Sequence, residues 1–212
     1  MVRSESGNTV TAIDDGQIHQ MVQRVLARVT GQRQVTAPAN QPSVPDEAPA
    51  LADAESGANS GGRKVVAVGA DHGGFELKGN LRGYITELGF DVRDMGAYSK
   101  DPVDYPEFAH AVARLVSMGK AWRGIMIDGA GIGSCIVANK IPGVRAGMAY
   151  DISTATNSRE HNDTNVLTLG AGLIGVSLAR QIVKTWLTTE FGGGRHASRV
   201  EKIMAVEKQY LK

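Results

Sequence analysis

From Lys64 onward the chain alternates short apolar runs with amphipathic stretches, and this alternation is the strongest constraint on its fold. Residues 65–68, 90–93, 123–127, 144–149 and 165–169 read as strands. Residues 75–88, 106–118, a segment from about Gly133, 153–160 and 176–188 read as helices, with a last one over about 197–210. Gly89 is placed as a C-cap and Pro106 as a helix opener. Strands and helices in such an order predict a parallel sheet covered on both faces. Ligands of these sheets bind at the carboxyl ends of the strands. That rule selects Asp71 and His72, the loop from Asp128 to Gly133, Tyr150 and Asp151, and Gly170 to Gly172.

The loop after the third strand carries the strongest chemical signal. Asp128 closes the apolar run Ile125, Met126, Ile127 and is followed by Gly129, Gly131 and Gly133, which alternate with Ala130 and Ile132. A strand, a glycine loop and a helix N-terminus make an anion site, because the backbone can approach a ligand and its free N–H groups face negative charge. A carboxylate at the lip of that site needs its own explanation. The same glycines followed by Asp151 imitate a dinucleotide fingerprint. The imitation is poor: its third glycine would be Ser134, and the loop follows the third strand rather than the first. Cys135 lies within an apolar helical run and reads as a small core residue. His19 and His110 fall on helix surfaces.

The first 62 residues are different in kind. They hold 4 of the 23 basic residues and 7 of the 22 acidic ones, and no aromatic residue occurs before Phe75. Four of the 7 prolines lie in residues 34–62, so this stretch reads as a flexible linker that cannot bury a core. Ahead of it, Ile18, Met21, Val22, Val25, Leu26 and Val29 form one apolar helical face, with Asp14 as N-cap and Gly31 past the end. An isolated helix of about 16 residues is marginal in water. On a long linker, it is expected to seek a groove outside its own domain. The expected organisation is a targeting segment at 1–33, a linker at 34–62 and a folded domain at 63–212.

The near-balance of charge gives no sign of a nucleic-acid surface, and 42% apolar residues suit a packed α/β core. A single cysteine fits a reduced compartment, no apolar run approaches the roughly 18 residues of a membrane span, and no basic-then-apolar leader opens the chain. The expectation is a cytoplasmic protein with neither nucleic-acid nor membrane partners.

Gly-Ala-Asp71-His72-Gly-Gly-Phe-Glu-Leu-Lys, Val-Asp104-Tyr105-Pro, Ala-Asn139-Lys-Ile-Pro-Gly-Val-Arg145, Arg159-Glu-His161-Asn162-Asp-Thr-Asn and Gly-Gly-Arg195-His196-Ala-Ser-Arg199-Val closely resemble the ribose-5-phosphate isomerase B family, which includes the galactose-6-phosphate isomerase subunits. The motifs run in family order over nearly all of residues 64–210. The resemblance implies a Rossmann-like three-layer sandwich on a five-stranded parallel sheet. It also implies a homodimer with shared active sites, possibly a tetramer, and isomerisation of a phosphorylated sugar without metal or other cofactor. Ribose 5-phosphate is the expected substrate. On this resemblance His161 opens the sugar ring with Asn162 beside it, Asp71 and Tyr105 assist, and His72, Arg195 and Arg199 hold phosphate. His196 is a further substrate contact, and the N–H groups of Gly129, Gly131 and Gly133 form an anion hole.

Three positions depart from the family pattern. Asp128 stands where the family usually has a cysteine base, Ala130 where it has threonine, and Gly172 where it has a phosphate-binding arginine. A branch with a glutamate base carries it at Ser134. Aspartate can move protons in such chemistry, so Asp128 is the expected base. The alternatives are that Asp128 only caps the following helix, or that the chain is a non-catalytic or partner-dependent subunit. Residues 14–30 resemble encapsulation peptides of bacterial microcompartments, which implies a shell or cargo partner and a microcompartment lumen as the destination.

Overall fold

The computed structural model describes residues 62–210; the targeting helix and nearly all of the linker read from the sequence lie outside them. Five strands, β1 (Val65–Ala70), β2 (Asp91–Asp94), β3 (Arg123–Asp128), β4 (Ala146–Met148) and β5 (Val166–Gly170), form one sheet in the order β2-β1-β3-β5-β4, and every neighbouring pair is parallel. The helices are α1 (Phe75–Glu87), α2 (Tyr105–Ser117), α3 (Ile132–Ala138), α4 (Ile152–Glu160), α5 (Val176–Thr188) and α6 (Ala197–Tyr210), with a 3-10 turn at Gly194–His196.

Period-two alternation sorts the strand residues into two cores. Val66, Val68, Ile125, Ile127, Leu167 and Leu169 pack with Leu81, Ile182 and Trp186 beneath α1, α4 and α5. Ala67, Met126 and Val166 face the other way, onto α2 and α3. Three layers result, as the alternation requires. The chain leaves β1 for β2 on one side and returns to β3 on the other. The crevice between β1 and β3 is therefore the topological switch point where ligands of such sheets sit. Asp71 and Asp128 are the residues that follow or end those two strands.

The elements differ from expectation mainly at their ends. Tyr105 is the first residue of α2, with Asp104 as N-cap, rather than part of the preceding turn. β4 starts only at Ala146, because the Arg145 N–H donates to the Asn165 side-chain oxygen at 2.7 Å instead of joining the ladder. Buried Arg123 donates to the carbonyls of Trp186 and Leu187 at the end of α5, its guanidinium stacked over Trp122 at 4.0 Å. Burial pushes its pKa down to about 10. Helix α6 buries no residue; Ile203, Val206 and Tyr210 stand exposed along it, as Ile132 and Ile136 do on α3.

Candidate active site

The candidate residues fall into two groups at opposite edges of the sheet. Those from strand ends and the loops after them lie at the carboxyl edge. His161 and Asn162 follow α4, which starts after β4 and runs back against the strands, so it ends at the amino edge. Arg195, His196 and Arg199 follow α5, which returns the same way. Strand β5 between the edges has 5 residues, which span about 16 Å. One chain brings the two groups into two separate clusters, not one.

At the carboxyl edge, Ala70 pairs with Ile127, so Asp71 and Asp128 leave adjacent strands at one level. Both are nearly buried, 7% and 5% exposed. They are held very differently. Asp71 accepts one hydrogen bond, from the Gly74 N–H to its Oδ1 at 2.8 Å, and its Oδ2 receives none from the described residues. Asp128 accepts four: Ala130 N–H at 2.8 Å and Gly131 N–H on Oδ1, and Ser134 N–H at 3.1 Å and the Ser134 hydroxyl on Oδ2. A carboxylate has about four lone-pair sites, and its own loop fills all of them here.

This arrangement revises the glycine loop. The Gly131 N–H turns inward to Asp128, so among the three expected anion-hole donors only those of Gly129 and Gly133 have no acceptor among the described residues. Gly131 is glycine for conformational reasons, with φ +79 and the Leu169 backbone 3.0 Å from where a Cβ would lie. Gly133 is glycine for contact reasons: its Cβ would fall 2.5 Å from the Tyr105 ring, which therefore covers the start of α3. His72 is exposed, and its Nδ1 meets the backbone of Val103 at 3.1 Å, tying it to the loop that leads into Tyr105. The β5 loop is fastened to the glycine loop by Ala171 N–H to Asp128 O and Gly172 N–H to Gly129 O. Asp151 is occupied as the N-cap of α4, accepting from Thr154 N–H at 2.6 Å, which removes the acidic residue a dinucleotide site would need.

At the amino edge, the His161 and His196 rings stack with centroids 4.1 Å apart and planes 7° from parallel. The Asn157 amide holds His161 Nδ1 at 2.9 Å, leaving Nε2 as the ring's open nitrogen. Asn162 reaches the Asn157 backbone and side-chain oxygens at 3.4 and 3.5 Å. The turn beneath them is clamped by Asp163, which has φ +46 and pairs with Arg145 at 2.8 Å and Arg159 at 2.7 Å. His196 is buried, and burial followed by the charge of His161, Arg195 and Arg199 lowers its pKa below the ordinary histidine value, against the pull of Glu160. Its Nδ1 is buried without a partner among the described residues, while Arg195 Nε donates to its Nε2 at 3.5 Å. Arg195 and Arg199 are exposed and make no ion pair among the described residues. Cys135 is half-buried rather than fully enclosed, and burial pushes its thiol up, away from the thiolate.

Residues 66–203 match the family model described as Ribose/Galactose Isomerase. The chain belongs to that family. It is 44% identical to ribose-5-phosphate isomerase B of Escherichia coli, over 69% of this chain and 98% of the relative. It is 42% identical to D-erythrulose-4-phosphate isomerase of Pectobacterium atrosepticum, over 68% of this chain and 95% of that one. Among solved structures, Clostridium thermocellum ribose-5-phosphate isomerase B superposes with a TM-score of 0.68 at 46% identity, covering 69% of this chain and 99% of the other. The chain is thus an isomerase of the sugar-phosphate class, and its five-stranded fold is that of the family.

Sequence reasoning missed three residues that shape the site. Asn157 lies four residues before His161, a helical spacing that would have flagged it. Ser134 stands out in the sequence only as a missing third fingerprint glycine and a missing glutamate base, and Asp163 only as part of a motif. Their partners are visible only in three dimensions.

Proposed function

We propose that this chain interconverts an aldose phosphate and its ketose, with ribose 5-phosphate as the best single substrate, in a site completed by a second copy. The division of the candidate residues between the two sheet edges carries this reading. A two-fold pair would bring the amino edge of one chain to the carboxyl edge of the other. The exposed apolar residues of α3 and α6 are the kind of surface such a pairing covers. In the completed site, Arg195, Arg199 and His72 hold the phosphate, and His161 with Tyr105 and Asn162 opens the ring. The N–H groups of Gly129 and Gly133 receive the enediolate oxygen. A carboxylate at the switch point carries the proton between C1 and C2.

Mixing two inactive variants tests the sharing. Asp71→Asn and His161→Gln disable different halves, so mixed dimers contain one intact site. Refolding an equal mixture should restore about a quarter of wild-type activity, because half the dimers are mixed and half their sites are whole. No recovery would place each site within one chain. A second reading, a sugar-phosphate-binding subunit that turns over only beside a cysteine-bearing relative, is favoured by the four hydrogen bonds on Asp128. Isomerisation by the purified chain alone excludes it.

The N-terminal segment adds a destination. The apolar face at residues 18–29 and the linker after it support the reading of this isomerase as microcompartment cargo. Deleting residues 1–62 should leave isomerisation intact and abolish co-purification with shells; retained co-purification would refute the assignment.

A further inference from the structure

Two carboxylates end or follow adjacent strands at the switch point, and among the described residues only that of Asp71 has an oxygen with no hydrogen-bond donor. Asp128 occupies the position of the family's base, yet all four of its lone-pair sites are filled by Ala130, Gly131 and Ser134. To accept a proton from carbon it would have to give up a hydrogen bond and leave a buried donor without a partner, which is costly. Among the described residues Asp71 accepts a single hydrogen bond, on Oδ1, and its Oδ2 has no partner there yet is not among the fully buried atoms that lack one, so it keeps some exposure. A Cβ on Gly73 would lie 3.3 Å from Asp71 Oδ1 and 3.7 Å from the Gly129 nitrogen, so the carboxylate and this unengaged loop donor flank the same glycine.

Building on the isomerase reading above, we infer that Asp71 is the base that moves the proton between C1 and C2, and that Asp128 is a positioning residue that shapes the anion hole. In the aldose-to-ketose direction, Asp71 Oδ2 takes the proton from C2. The C2–H electron pair becomes the C1=C2 bond, and the carbonyl pair moves to O1, which meets the N–H groups of Gly129 and Gly133. The protonated Asp71 then returns its proton to C1 while a proton passes from O2 to O1 through water. The carboxylate is regenerated and nothing else is consumed. Asp128 draws the Ala130, Gly131 and Ser134 donors inward, and so turns the remaining two toward the crevice.

The test separates carbon chemistry from ring opening. A tetrose 4-phosphate has no free hydroxyl with which to close a five-membered ring, so its isomerisation needs no ring-opening step. Wild type, Asp71→Asn and Asp128→Asn are assayed as full-length chains on ribose 5-phosphate and D-erythrulose 4-phosphate, with deuterium uptake from heavy water read by NMR. Asparagine keeps an oxygen for the Gly74 N–H, so Asp71→Asn retains the fold and the wild-type melting temperature. The expected result is a loss of a thousandfold or more in kcat on every sugar that wild type turns over, with KM within a few-fold and no deuterium uptake. Asp128→Asn should melt lower and raise KM, and keep kcat within about tenfold. The inference is overturned if Asp71→Asn keeps tetrose phosphate activity, or if folded Asp128→Asn loses kcat as severely as Asp71→Asn. Wild type inactive on both sugars would instead sink the isomerase reading, and this inference with it.

Discussion

Gly133 and Tyr105 form a contact whose energetics can be worked out in advance. Gly133 lies inside helix α3, where alanine is better than glycine by about 1 kcal/mol. Its φ is not in the left-handed region, so the backbone accepts a side chain. What forbids one is the Tyr105 ring, whose Cζ, Cε2 and Oη would stand 2.5, 2.6 and 2.6 Å from the new Cβ. Carbon atoms in contact sit about 3.5–4.0 Å apart, so the ring must move by about 1 Å or more. Tyr105 is 37% exposed and can swing outward, which puts the clash at the low end of the roughly 1–3 kcal/mol of overpacking. Gly133→Ala alone should therefore be near neutral to about 1 kcal/mol destabilising, and kcat should fall because Tyr105 no longer covers the site. In a Tyr105→Ala background the clash is gone and the same substitution should stabilise by up to about 1 kcal/mol. Urea unfolding of the four proteins measures the cycle, with a coupling of about 1–2 kcal/mol expected. Additive changes would show that the ring does not rest on Gly133.

Other perturbations probe the rest of the site. Ser134→Ala removes a buried hydroxyl that donates to Asp128 and should cost about 2 kcal/mol in urea unfolding, while Ser134→Thr, which keeps the donor, should recover part of it. Asp163→Asn unties Arg145 and Arg159 beneath His161; unfolding stability should drop by roughly 2 kcal/mol, and kcat should fall more than KM rises. His196 sets a pH dependence. Its folded pKa lies below the ordinary 6.5, so above about pH 6.5 neither state binds the proton and stability is unaffected. Below that the unfolded chain takes a proton the folded one resists, and stability declines as pH falls toward the lowered value. Melting curves from pH 7.5 to 5 should show a steeper loss for wild type than for His196→Gln; parallel curves would contradict the assignment.

Much of the fold was legible because it follows from local period. Alternating strands and helices fixed the parallel sheet, and the position of each loop fixed which residues reach the carboxyl edge. The same connectivity also implies that His161, coming after a helix, lies at the amino edge. The direction in which Asp128 turns was not legible. A carboxylate before a glycine loop can face a ligand or its own backbone, and only the placement of Ala130, Gly131 and Ser134 shows which. Nor could Gly133 be understood from its neighbours, because the residue that requires it is Tyr105, 28 positions earlier. Local patterns fix elements. Contacts between distant residues assign their tasks.

The placement of His161 and Asp71 at opposite ends of the sheet bears on when the enzyme works, as well as how. A catalyst whose site is contributed by two chains has an output that rises with the square of its concentration while the chains are dilute. If the site is shared as proposed, scattered molecules would be nearly silent, and gathering them would switch them on without any effector. If residues 14–30 collect the chain in a confined volume, the address tag is also an activator, and isomerisation begins where the protein accumulates.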